Sequence, residues 1–175
     1  MRERTGRTLE EWVALVEASG IDALDQRAVR RWLKIEHAVP QNSQWAIADA
    51  AARAAGWEPP SVEQYVDQQY SGAKAGLRPV FDGLREIVDA FGDDVRMEGR
   101  ATYTPFVRRR QFAAVAAATR NRIDVGLRYT AAPTSKLLTT ASAPGQATHK
   151  LSLTSVEEIT NEIERLLRAA YDQNG

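Results

Sequence analysis

Apolar residues recur at a helical period over three stretches of the first 55 residues, again over 77–91, and again over 156–170, whereas between about 95 and 130 the period falls to two. Thr8-Leu-Glu-Glu11 has the form of a capping box and predicts a helix through about Ser19, with Leu9, Trp12, Val13 and Val16 as its apolar stripe. Gly20 ends that helix. Asp25 caps a second, through about His37, in which Ala28, Val29, Trp32 and Leu33 occupy one face and Arg27, Arg30, Arg31 and Lys34 the other. After the break at Val39-Pro40-Gln41, Asn42 or Ser43 is placed to cap a third helix to about Ala55, and Gly56 stands where a left-handed C-terminal cap belongs. Pro59-Pro60 enforces an extended stop, and Ser61-Val-Glu-Gln64 is a second capping box, opening a short helix to about Gln69.

Ser71-Gly-Ala-Lys-Ala-Gly76 is small, polar and flexible in composition, as linkers are. Beyond it Val80, Leu84, Ile87 and Val88 predict a helix from Leu77 to about Phe91. Strands follow at about 95–104, 105–108, 111–118 and 122–130; in the last, Ile123, Val125, Leu127 and Tyr129 alternate with Arg122, Asp124, Gly126 and Arg128. Residues 131–147, rich in Ala, Thr, Ser, Pro and Gly, read as a long connection with one helical turn near Ser135–Thr140. His149–Leu153 returns as a strand, and Ser155-Val-Glu-Glu158 is placed to start a terminal helix. The fold class predicted is α+β. A small all-helical unit spans 5–70, a linker 71–76, and a two-layer α+β sandwich 77–173, made of a helix, four or five antiparallel strands and a helix. Two amphipathic helices flanking an antiparallel run pack most simply on one face of its sheet and leave the other to water.

A chain of 175 residues has room for two small cores, and 43% apolar with 26% charged residues is ordinary for a soluble protein. No segment nears the roughly 18 apolar residues of a membrane helix, and the charged start Met1-Arg-Glu-Arg lacks the apolar core of a secretory signal, so a cytoplasmic location is expected. With no cysteine and only His37 and His149, thiolate chemistry is excluded and no metal or cofactor is expected. His149 shares its parity with Leu151 and Leu153, which predicts a buried or edge histidine, and Asp93-Asp94 reads as a turn. Neither a nucleophile motif nor a phosphate-binding glycine loop is present, and no catalytic residue is assigned.

Charge changes the picture locally. Between Arg96 and Lys136 there are nine Lys or Arg against two acids, Glu98 and Asp124, in a chain of zero net charge. Strand alternation places Arg100, Arg122, Arg128 and Lys150 on the open sheet face, with Arg108, Arg109, Arg110 and Arg120 in adjoining turns. Arginine suits bidentate contact with phosphate or carboxylate, and Tyr103 adds a stacking surface. The expectation is therefore a binding protein for an anionic small molecule or nucleic acid, acting through this face or through a cleft between the two domains. Trp45, at a helix start, and Trp57, beside Pro59-Pro60, are the pocket candidates, while Trp12 and Trp32 belong to the core. A nucleic-acid accessory role and a small-molecule or protein-interaction module are the alternatives. In the blander reading, the arginines solubilise the sheet and pair with acids such as Asp124 and Glu98. A helix-turn-helix reading of the first domain is disfavoured because its third helix offers only Arg53 as a cation.

Thr5-Gly-Arg7 with Trp12, and Val29-Arg-Arg-Trp-Leu-Lys-Ile-Glu-His37, resemble a small helical bacterial domain of unknown function, the Trp-Leu-Lys-x-Glu-His run being the most specific part. Tyr103-Thr-Pro-Phe-Val107, Arg110-Gln-Phe-Ala-Ala-Val115 and Arg122-Ile-Asp-Val-Gly-Leu127 resemble an uncharacterised YdhG-like α+β domain of bacteria. Together the two resemblances cover nearly the whole chain and imply fold rather than activity. Some proteins of the second group carry names of transport proteins or iron chaperones, but acids that would hold a hard cation do not cluster on the strands here.

Overall fold

The computed structural model describes residues 1–175, which divide into two compact units, Met1–Pro59 and Pro60–Gly175. In the first, α1 (Arg2–Thr5), α2 (Leu9–Ala18), α3 (Gln26–His37) and α4 (Gln41–Ala54) enclose a core of Trp12, Val16, Val29, Leu33, Val39, Ile47, Ala48 and Ala51. The capping box at the start of α2 forms as expected, with Glu11 N–H donating to Thr8 Oγ1 at 3.2 Å and Thr8 N–H to Glu11 Oε2 at 2.8 Å. Trp12 is buried and donates through Nε1 to Thr5 Oγ1, and His37 stands edge-on to both Trp12 and Trp32. The cap of α4 differs from expectation. Pro40 occupies that position, its fixed φ of −60° already suited to entering the helix, and Ser43 lies inside the first turn, buried.

The second unit holds α5 (Val62–Gln69), a 3₁₀ turn (Gly72–Leu77), α6 (Arg78–Asp89) and a six-stranded antiparallel sheet, and ends with α7 (Asn161–Asp172). Its strands are β1 (Arg96–Met97), β2 (Thr104–Val107), β3 (Gln111–Thr119), β4 (Arg122–Leu127), β5 (Thr139–Thr140) and β6 (His149–Leu153), in the order β1-β2-β3-β4-β6-β5. The α+β class follows from the sequence pattern: alternation makes a two-faced sheet, and the stripes of α6 and α7 need an apolar surface to cover. Val80, Phe81, Leu84 and Val88 of α6 and Ile163, Leu166, Leu167 and Ala170 of α7 share one core with Phe106, Val115, Ile123, Val125, Leu127, Leu151 and Leu153 of the sheet. The register of β2 against β3 shifts between Phe106 and Val107, so Phe112 is an inserted residue that joins the core, edge-on to Tyr171.

Two expectations are corrected. The segment 71–76 is not a free linker, and the division falls at Pro59-Pro60: Val66, Tyr70 and Leu77 belong to the second core. Gln69 donates to the Arg100 carbonyl at 2.7 Å, and Lys74 to the Ala117 carbonyl at 2.5 Å. Small residues in 71–76 let the chain coil against β3 instead of swinging free. Second, the terminal helix begins at Asn161 rather than near Ser155, because Val156–Glu158 forms a separate 3₁₀ turn in which Glu158 accepts from the Thr154 N–H.

Candidate functional site

Register builds the site on the sheet face opposite the core. Asp124 of β4 pairs with Ser152 of β6 and Gly126 with Lys150, while Arg122 lies two residues before Asp124 and on the same face. Asp124 is buried at 7% exposure, unusual for an aspartate, and it is fully occupied. Its Oδ1 accepts from Arg122 Nε at 2.9 Å and from Ser152 Oγ at 2.8 Å, and its Oδ2 from Lys150 Nζ at 2.9 Å. Burial pushes this carboxyl up, but the hydrogen bonds from Lys150 and Ser152 and the charges of Lys150 and Arg122 outweigh it and hold it below the usual aspartate range. One carboxylate cannot neutralise two cations, so the cluster keeps one positive charge, and the Arg122 side chain stays 45% exposed.

The rest of this face is shared between polar side chains and the chain's own loop. Arg128 donates to Gln146 Oε1 at 2.6 Å. A Cβ on Gly126 would lie 2.6 Å from the Pro144 carbonyl oxygen, and one on Gly145 2.8 Å from the Ala114 methyl group, so residues 144–147 lie directly on β3 and β4. The second face of the sheet is thus open only in part.

At the end of the β2–β3 hairpin a second charged cluster flanks a cavity of about 410 Å³ lined by Asp93, Asp94, Arg96, Arg108, Arg109 and Gly175. Arg108 Nε donates to Asp94 Oδ2 at 2.6 Å, and its guanidinium sits 4.2 Å from the Tyr171 ring centre. Tyr171 Oη donates to the other oxygen of Asp94 at 2.7 Å. The hydrogen bonds from Arg108 and Tyr171 hold the Asp94 carboxyl below its ordinary range, and the same bond to Asp94, with burial, pushes the Tyr171 phenol up.

Of the residues singled out in sequence, Arg122 and Lys150 come together on Asp124. Arg100 is not on the sheet face as expected but in the connection between β1 and β2, because β1 ends at Met97; there it pairs with Glu98 at 2.9 Å, so the pairing anticipated in the blander reading is present at each of these acids. Tyr103 is half-buried just before β2. Trp45 and Trp57 belong to the first unit, where Arg30 lies 3.5 Å from the Trp45 ring centre and Arg53 5.6 Å from that of Trp57. His149, in strand pairing with Leu127, is half-buried and edge-on to Tyr129. What sequence reasoning missed was the covering loop and the Asp94–Arg108–Tyr171 network. For the loop a signal existed, since a lone glycine inside a strand marks the close approach of another backbone.

The architecture is that of a helical unit followed by an α+β sandwich whose second sheet face carries cations organised by one buried carboxylate. Residues 66–174 match the family model described as a domain of unknown function (DUF5655), and the chain belongs to that family. Residues 1–52 match a second model, also described as a domain of unknown function (DUF4287), so the expected tandem of two uncharacterised domains is present. No curated protein and no solved structure matches the chain. No helix is long and apolar enough to cross a membrane.

Proposed function

We propose that the α+β unit is a binding module for an anionic ligand, recognised at the Arg122–Lys150 pair on the sheet. The observation that supports this is the sharing of Asp124. Two cations from adjacent strands are held in fixed positions by a single buried carboxylate, and the surplus charge faces solvent through Arg122. Arg122 and Lys150 are ordered before any ligand arrives, so less side-chain entropy is lost on binding, and a phosphate or carboxylate gains charge-assisted hydrogen bonds to both. Calorimetric titration of the full chain with inorganic phosphate and with di- and tricarboxylates tests this. Binding that weakens with salt and disappears in the Arg122→Ala, Lys150→Ala double variant supports the site, and heat of binding unchanged by that variant removes it.

A second placement rests on the cavity at the hairpin end, where Arg96 and Arg109 border the 410 Å³ space without a carboxylate partner of their own. Loss of the same binding in Arg96→Ala, Arg109→Ala, with the Arg122 and Lys150 variant unaffected, moves the ligand there.

A further inference from the structure

In the first unit α3 carries a stripe of cations that no carboxylate holds in an ion pair. Arg27, Arg30, Arg31 and Lys34 recur at intervals of three, one and three residues, which places them within one stripe of the helix, opposite the buried Val29 and Leu33. None of the four forms an ion pair; the pairs of this unit are Arg2 with Glu11 and Arg53 with Asp49. The acids nearest in sequence are otherwise engaged or turned away. Asp22 and Asp25 accept from the backbone N–H groups of Leu24, Arg27 and Ala28, and Glu36 lies across the helix from the stripe.

Beside the stripe stands an aromatic ring that the core does not use. Trp45, in the first turns of α4, is 53% exposed. Arg30 is held by a hydrogen bond from its Nε to the Gln26 carbonyl at 3.1 Å and lies over the Trp45 ring, 3.5 Å from its centre. That guanidinium stacks on the indole, and about half of the residue's surface stays open to solvent. Where α3 turns into α4, Lys34, Ala38, Val39, Gln41 and Gln44 line a hollow of about 470 Å³. Gln44 Nε2 is held by the Val39 carbonyl at 2.6 Å, while Gln41 and Asn42 are exposed with free amide groups.

We infer that α3 and the first turns of α4 form a binding surface for single-stranded nucleic acid, with Arg27, Arg31 and Lys34 along the phosphates and Trp45 as a stacking platform for a base. The charges select a polyanion, and the ring selects its class. Stacking on an exposed indole requires a base whose face is free, which a single strand offers and a duplex does not. The absence of cations from α4 other than Arg53 argues against insertion of that helix into a major groove. An acidic protein segment would meet the cations equally well but matches Trp45 only where an aromatic residue falls at the right spacing, whereas every nucleotide of a single strand carries a base beside its phosphate.

This surface is independent of the sheet-face cluster, and its test uses the full chain. A labelled oligothymidylate and the corresponding oligouridylate are titrated by anisotropy while tryptophan fluorescence is followed, since all four tryptophans lie in the first unit. The expected result is binding that quenches fluorescence and falls with salt, each lost phosphate contact lowering the salt slope by about 0.7. Trp45→Ala should weaken it about tenfold, Trp45→Phe less, and Arg27→Glu with Arg31→Glu about tenfold or more. Arg122→Ala with Lys150→Ala should leave it unchanged, so failure here and failure of the sheet site are separable. Three results overturn the inference: no binding to either oligomer at low salt, equal or tighter binding to a duplex of the same length, or binding of an acidic peptide that competes with the oligomers at equal concentration. Circular dichroism of each variant secures the reading, because Arg27, Arg31 and Trp45 are exposed and their replacement leaves the core intact.

Discussion

Tyr171 of the last helix donates its hydroxyl to Asp94, 77 residues earlier, across 2.7 Å, while Arg108 closes the other side of the same carboxylate. This single acid ties the turn after α6, the β2–β3 hairpin and the C-terminal end of α7 to one another. Phe91 packs against Tyr171 at 5.4 Å between ring centres, and Arg168 lies over Phe91 at 4.2 Å, which continues the same contact layer.

Removing that hydroxyl should loosen the end of α7 before the rest of the fold. Tyr171→Phe is expected to lower Tm by about 2–4 °C, the fall that the loss of one net hydrogen bond produces in a chain of this size. Hydrogen exchange should rise in residues 168–174 more than in β3 or β4. Equal exchange across the unit would show that Asp94 and Tyr171 do not clamp the helix.

Asp124 gives the fold an acid-sensitive element. Its folded pKa lies below its unfolded value, so its ionised form contributes stability that is present above about pH 3.9 and is lost as pH falls through the folded value. Asp124→Asn should therefore lower stability at neutral pH by about 1–3 kcal/mol and flatten the dependence between pH 5 and pH 2, roughly the range in which such a carboxylate titrates. Urea unfolding at a series of pH values checks both, and curves for variant and parent that stay parallel through acid would refute the assignment.

Gly126 is where the covering loop meets the sheet. Gly126→Val places a side chain against the Pro144 carbonyl oxygen, a backbone atom with little room to yield. The expected outcome is a loss of about 1–3 kcal/mol together with new proteolytic cleavage within 141–148. A melting temperature equal to that of the parent would mean that the loop does not rest on β4.

The division at Pro59-Pro60 has a direct consequence for truncation. A chain beginning at Pro60 keeps Val66, Tyr70 and Leu77 and should melt in one cooperative step; a chain beginning at Leu77 loses Val66 and Tyr70 and should be markedly less stable or aggregate. Calorimetry of the two fragments decides it, and equal stability would return the boundary to 71–76.

Local chemistry carried the elements. The capping residues Thr8, Asp25 and Ser61 and the alternation of Ile123, Val125 and Leu127 act within a few residues of themselves, and the helices, strands and α+β class that they predict are the ones that form. The shared face of Arg122, Asp124 and Lys150 was equally readable, because parity along a strand assigns each residue to a face, whereas Glu98 and Arg100 lie beyond the end of β1 where parity has no meaning. Register was not readable. That Lys150 and Ser152 should reach the same carboxylate as Arg122 depends on how β6 pairs with β4, which no local pattern specifies. The boundary misled for the same reason: Ser71–Gly76 has a linker's composition and stays largely exposed, and only the burial of Val66, Tyr70 and Leu77 on either side of it against a distant sheet ties it to the second unit. By itself the sequence determined the main helices, the strands around 111–127 and 149–153 and which faces are apolar, since propensity, capping and periodicity are short-range; it did not show that 98–103 leaves the sheet or that a short strand, Thr139–Thr140, stands where a helical turn was expected. Only the tertiary structure decided which charges meet, where the chain divides and which part of the sheet its own loop covers, since those depend on contacts between residues far apart in the chain.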